Sequence, residues 1–236
     1  MKMNKVGFLA FGIAVMAFAG LAAAAPAYIT GAQNTTDWST ATPYTGQNAG
    51  SLPVTAGYIY NTVLSGTSVT EYWAGLYGKI SGSITLASND SGTVHTMKNW
   101  TYNGGNGYIY AVKGSTVPDW WNLTNMSGAD IDTAFNFTSS DADSASNTFM
   151  SINAPVKIAN QTIIIQYCTL TKNTTSDHWP TCAAKDNTNL QPIFAGALEN
   201  NAELYNGGQG DFQIIVPNNQ RGVSNATTYY FYLELH

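Results

Sequence analysis

Enzymatic chemistry needs side chains that move protons, attack electrophiles or hold metals, and this chain of 236 residues has few. It has three histidines, His95, His178 and His236, and two cysteines, Cys168 and Cys182. No Gly-x-Ser-x-Gly elbow, His-Glu-x-x-His pair or phosphate-binding loop is present. Paired carboxylates are the remaining route, because a glycoside hydrolase uses one as acid and a second as base or nucleophile. The glutamates are Glu71, Glu199, Glu203 and Glu234, and Glu71, beside Tyr72 and Trp73, is the candidate of that kind. A carboxylate on a strand rim is the plainer reading of Glu71. No catalytic, cofactor-binding or metal-binding residue is assigned.

Cys168 and Cys182 are read as a disulfide, since an even pair in an exported chain normally closes a loop. A metal pair with His178 falls short of the four ligands of a structural zinc site. The acidic alternation Asp141-Ala142-Asp143-Ser144 fails as a calcium loop. Counted from Asp141, the position that needs glycine holds Ser146 and the one that needs glutamate holds Ile152.

Asn-x-Ser/Thr occurs at Asn34, Asn89, Asn99, Asn122, Asn125, Asn136, Asn160, Asn173 and Asn225, about twice the chance expectation for this composition. Charged residues are only 10%, so solubility must come from Ser, Thr, Asn and the glycans those sites would carry. A net charge of -5 with nine basic residues gives phosphate backbones nothing to bind, which sets nucleic acid aside. Trp38, Trp73, Trp100, Trp120, Trp121 and Trp179 could form a platform for sugar rings, or simply pack in the core.

These groups need elements to position them, and the first element is an address. MKMNKVGFLAFGIAVMAFAGLAAAAPA has a charged start, a short apolar run and a small-residue exit, which predicts a secretory leader over residues 1–27. Lys5-Val6-Gly7 before Phe8 also allows a pilin-type processing site, which would retain the apolar stretch as a stalk. No later run approaches the roughly 20 apolar residues that span a bilayer. Residues 28–55 are polar, contain Pro43 and Pro53, and read as an N-terminal arm with a feeble strand signal at Tyr28-Ile29-Thr30. Such an arm either completes the sheet of a neighbouring copy or lies irregularly across its own domain.

The domain proper is expected over residues 56–236. Its centre is Val69 to Leu86, where Tyr72, Leu76, Ile80, Ile84 and Leu86 alternate with polar residues at a period of two. The run exceeds one strand, and Gly75, Gly78 and Gly82 offer bends, so two consecutive strands or one bent strand are predicted. Further strands follow at 57–60, 93–100, 108–112, 148–152, 156–159, 162–168, 190–197, 212–217 and 227–235, separated by Asn- and Gly-rich turns. Between them, residues 117–136 have helical spacing and predict one or two short helices. The fold class is all-β, a β-sandwich or jelly-roll-like domain with a short helical insert.

At EYWAGLYGKISGSITLA, Asn99-Trp100, the Cys-flanked loop, DFQIIVP and TTYYFYLEL, the chain resembles secreted cell-surface proteins of archaea, most without an assigned activity. More loosely, leader, arm, sequon-rich β-domain and C-terminal strand are similar to archaeal thread and bundling-pilus subunits. In those, an N-terminal strand of one subunit completes the sheet of the next. The resemblance implies export, a β-rich fold and a homopolymer bearing N-linked glycans at the extracellular surface. The reading is a non-enzymatic filament or cell-surface subunit assembling by strand addition. Its alternatives are a carbohydrate-binding or adhesive domain and, third, a glycoside-active enzyme.

Overall fold

The computed structural model describes residues 29–32, 51–62, 70, 72–88, 94–104, 107–158, 161–170, 179–218 and 227–235. The arm supplies the first strand, β1 (Ile29–Ala32). The alternating stretch from Val69 to Leu86 divides into β2 (Trp73–Gly78) and β3 (Ser81–Ala87), which belong to different sheets. The break has a specific cause. Asp211, nearly fully buried, accepts the Ile80 amide at 2.8 Å and the Asn201 amide at 3.2 Å, while its own amide donates to the Gly78 carbonyl at 2.7 Å. With its N–H held by a carboxylate, Ile80 cannot extend the β2 ladder.

Tyr72 and Ile80 are buried, as the alternation requires, but Ile84 and Leu86 are exposed. That part of the expectation is corrected: after Ile80 the chain leaves the core, and among the described residues β3 pairs only with β4 (Val94–Thr101), in a two-stranded hairpin. β5 (Gly107–Val112) returns to the centre and sends residues to both faces of a large sheet.

The helical insert is present but begins later than its sequence suggests. Over residues 117–122 the Trp120 amide bonds the Pro118 carbonyl at 3.1 Å and the Asn122 amide bonds the Asp119 carbonyl at 3.0 Å. These turns lead into a short strand, β6 (Leu123–Asn125), rather than a helix. The Asp119 amide is taken by the Asp186 carboxylate at 3.1 Å, which fixes the turn in place. α1 (Gly128–Phe135) follows, with Ser127 and Asp130 forming a capping box and Asn136 closing the C-terminus in the left-handed region at φ 54°. α2 (Ala145–Thr148) is a single turn, capped by Ser144. The two are joined by Asp132, which accepts the amides of Ala145 at 2.7 Å and Ser146 at 3.1 Å.

β7 (Met150–Ile158) and β8 (Gln161–Leu170) form a hairpin, so the strands expected at 148–152 and 156–159 are one strand carrying a register shift between Ser151 and Ala154. β9 (Pro180–Asp186), β10 (Gln191–Ala197), the two-residue strands β11 (Ala202–Glu203) and β12 (Gln209–Gly210), β13 (Phe212–Pro217) and β14 (Tyr230–Leu235) complete the order. The main sheet runs β1-β14-β5-β10-β9-β8-β7 with antiparallel neighbours, and β6 lies beside the far half of β9. Its central strands are buried on both faces. Toward one side, Ala111, Ala183 and Phe194 pack with the β2–β13 ribbon through Ile214 and Val216 and with α1 through Ile131 and Phe135. Toward the other, Tyr110, Val112, Ala184 and Ile193 pack with Leu123 and the two cysteines. Each such large apolar side chain stabilises the fold by about 1.5–3 kcal/mol relative to leaving it in water.

Candidate functional site

The feature with most functional content is the edge of the main sheet where the arm meets the C-terminal strand. β14 is paired on both sides, with β5 from Tyr230↔Val112 to Leu235↔Gly107 and with β1 from Ile29↔Glu234 to Ala32↔Phe231. A long apolar C-terminal strand left open would be a template for aggregation, and β1 covers it.

The slot is specified on both faces. Residues directly opposite one another share a face, so Ile29 lies on the side of Glu234, Tyr108, Tyr232 and Tyr110, while Ala32 lies on the side of Leu233 and Phe231. Ile29 joins the cluster in which Trp120 contacts Tyr110 at 5.0 Å and Tyr232 at 5.3 Å between ring centroids. Behind it, Glu234 is fully buried and accepts a hydrogen bond from the Tyr110 hydroxyl. Burial, followed by the charge of Glu234, pushes the Tyr108 phenol up from its ordinary value, and burial does the same to Tyr232 with a smaller push from Tyr230. Tyr108 and Tyr232 therefore stay neutral at ordinary pH. Among the described residues the slot offers an extended strand apolar and hydrogen-bonding groups.

The disulfide is present between Cys168 and Cys182, which stand directly opposite in the β8–β9 ladder with Cα atoms 4.1 Å apart. It joins the same apolar cluster as Tyr110 and Ile193, and so braces the sheet several strands away from the slot.

Among the described residues, the sequence-level candidates for catalysis are not brought together. Glu71, His178 and His236 lie outside the described residues. His95 is exposed on the outlying hairpin, Glu203 is exposed in β11, and Glu234 is in the sheet interior. The Asp141–Asp143 loop is tied to the body through Tyr72, whose hydroxyl donates to Asp141, and through Thr70, whose hydroxyl donates to Asp143 at 2.8 Å. Among the described residues, no group of three His, Cys, Asp or Glu side chains is placed to hold a metal. The described tryptophans are dispersed. Trp179 is buried with its Nε1–H donating to the Glu203 carbonyl at 2.8 Å, Trp73 donates to the Asp143 carbonyl at 2.6 Å, and Trp100 lies on Gly82. Trp120 belongs to the slot, Trp121 is exposed, and Trp38 lies outside the described residues.

Of the sequons, Asn99, Asn122 and Asn136 are exposed and Asn125 is half-buried in β6. Asn122 donates through its side chain to Thr188 at 3.1 Å, and Thr124 of the same sequon donates to Asn187 at 2.9 Å. Asn34, Asn89, Asn160, Asn173 and Asn225 lie outside the described residues. Among the described residues no helix is long and apolar enough to cross a membrane.

What the sequence missed at this site is the identity of the receptor. The weak signal at Tyr28-Ile29-Thr30 marks the added strand, but nothing in the pattern says that its partner is the strand some two hundred residues away. No family model, curated protein or solved structure matches the chain.

Proposed function

We propose that this chain is an exported, N-glycosylated structural subunit of an extracellular filament or cell-surface layer, and that copies associate by β-strand addition. The observation that carries the reading is the β1–β14 ladder: an arm strand already seated, in register, on the edge of the main sheet. Residues 33–72 separate β1 from β2, a length that can reach up to about 130 Å when extended. Strand exchange between copies keeps every hydrogen bond of that ladder and changes only which chain supplies β1, so it costs little beyond the loss of freedom on association. Handing β1 from each copy to the next joins copies head to tail, which extends into an open filament wherever the rotation between copies does not close a ring. The exposed sequons at Asn99, Asn122 and Asn136 suit a surface that must stay soluble with few charges.

The test is electron microscopy of the purified protein and of the native cell surface, with the protein lacking residues 28–50 as comparison. Filaments or layers in the first and their loss in the second are expected. An intact protein that remains monomeric after unfolding and refolding at high concentration would sink the reading.

A further inference from the structure

Residues 117–122 and the β9–β10 turn are fastened into one corner of the molecule. Asp119 accepts the Trp121 amide at 3.2 Å and the Thr188 hydroxyl at 2.8 Å, and that hydroxyl accepts the Asn122 side-chain amide at 3.1 Å. The Asn187 amide closes the corner on the Asn122 carbonyl at 3.0 Å. A corner tied by polar groups nevertheless presents apolar side chains to water. Trp120 packs inward against Tyr110, and its neighbour Trp121 is 58% exposed. Leu190, two residues beyond Thr188, is 69% exposed and holds the left-handed region at φ 56°, a conformation that costs a residue with a Cβ. Exposed apolar side chains taken singly need no explanation. Here the residue hydrogen-bonded between them is the acceptor of a sequon, Asn122-Leu123-Thr124.

We infer that Asn122 carries an N-linked glycan whose first sugar rings lie on the Trp121 indole. The inference rests on the reading of the chain as an exported glycoprotein, but not on strand addition. In the transfer, made by a cellular transferase, a bond forms between Asn122 Nδ2 and the anomeric carbon of a lipid-phosphate-linked oligosaccharide. The bond from that carbon to the phosphate oxygen breaks, its electron pair stays with the lipid phosphate, and the displaced Nδ2 proton passes to solvent. The first support is access. Asn122 and Thr124, the two side chains that define the sequon, are both exposed. At the next sequon, Asn125 and Ser127 are half-buried, and Met126 between them is buried with its amide on the Ala183 carbonyl at 3.4 Å. The Ser127 hydroxyl is committed to the cap of α1, and Asn125 pairs with Ala184 in the β6–β9 ladder. A glycan added to Asn125 before folding obstructs that pairing, and after folding the sequon is closed. The second support is position. The substituted Asn122 amide keeps one N–H for the Thr188 hydroxyl, so the root of the glycan is held beside Trp121. The third is chemistry: a sugar ring has a face of C–H groups, which matches the exposed face of an indole.

The test uses intact protein from the native cell surface, with Thr124→Ala, Thr124→Ser and Asn122→Gln made in the same cells. Glycopeptide mass spectrometry should find Asn122 occupied at least fivefold more than Asn125. Hydroxyl-radical footprinting should oxidise Trp121 at least threefold faster in Thr124→Ala and Asn122→Gln than in the unaltered protein, with the exposed Tyr205 as the unchanged reference. Thr124→Ser keeps the sequon and should keep Trp121 protected, which a merely structural role for Asn122 would not require. A bare Asn122 beside glycans at other sequons overturns this inference and leaves the glycoprotein reading, whereas no glycan at any sequon removes both. Equal occupancy at Asn122 and Asn125 overturns the choice of site. A glycan on Asn122 with Trp121 oxidised equally in every variant overturns the packing. Protection of Trp121 that survives in Thr124→Ala, in dilute or assembled protein, would assign its cover to protein and likewise overturn it.

Discussion

Tyr110 and Glu234, 124 residues apart in sequence, meet in the interior of the main sheet, where the phenol donates to a carboxylate that has no exposure to solvent. The bond joins β5 to β14 across the middle of the ladder that receives the arm. Buried carboxylates persist only where donors satisfy them. Tyr110→Phe keeps the ring and removes one donor, and a loss of about 1–3 kcal/mol in chemical unfolding is expected. Phe at this position with unchanged stability would mean that the pair does not hold the sheet.

Asp186 ends β9 and fastens two loops to it. It is buried, and burial alone would raise its carboxyl. Donors outweigh that effect: the Asn189 side chain at 2.7 Å and the amides of Asp119, Thr188 and Asn189 together hold the group below its ordinary value. A carboxyl depressed in the folded state contributes stability that is present above its unfolded pKa of about 3.9 and is lost as pH falls through the folded value. Thermal unfolding followed from pH 6 to pH 2 should therefore steepen below about pH 4. In Asp186→Asn the protein should be less stable at pH 6 and its acid limb flatter, and an acid limb identical to that of the unaltered protein would contradict the assignment.

The Cys168–Cys182 bridge closes a loop with a sequence separation of 14. Loop closure of that size stabilises by about 3 kcal/mol through the unfolded chain. Replacing both cysteines by serine should lower stability by that order. The β5–β14 ladder should still protect its amides from hydrogen exchange, because β10 stands between it and the bridged β8–β9 pair. Early exchange at Tyr232 and Leu233 in the serine variant would show that bracing reaches further than the pairing implies.

The strands marked by β-branched and aromatic runs between turn clusters were legible: β4, β5, β10, β13 and β14 lie within a few residues of where those signals put them. β9 was not, because PTCAAKD has small residues in place of the β-branched and aromatic ones that mark strands; Ala183 and Ala184 earn their burial from close approach to neighbours on both faces. Residues 117–122 look helical because Pro118 and Asp119 suit a first turn. The competing donor–acceptor pair is Asp119 with Asp186, 67 residues on, and local sequence cannot contain it. The same holds for the slot. Ile29 opposite Glu234 is a long-range pairing, and the arm side offers only the feeble signal Tyr28-Ile29-Thr30 for a strand of four residues. Ile84 and Leu86 were misplaced for a related reason: alternation reports which face is apolar, but not whether anything in the same chain covers it.

Gly107 decides how closely β14 can approach. A Cβ built there would lie 2.5 Å from the Glu234 carbonyl oxygen and 3.0 Å from Leu198 Cδ1. Leu198 can rotate away, but the carbonyl belongs to the β14 backbone and can move only by opening the β5–β14 ladder, where Leu235 pairs with Gly107 and Glu234 with Tyr108. Gly107→Ala is expected to cost about 1–3 kcal/mol, the usual range for a methyl forced into a packed site. The damage should be local. β14 amides, and β1 amides behind them, should exchange faster with solvent, while the β9–β10 ladder keeps its protection. If strand addition occurs at this edge, the same substitution should also loosen assembly, because a displaced β14 misaligns the slot for any β1, its own or a neighbour's. A uniform loss of protection across all strands would instead show that β14 unfolds only with the rest of the sheet.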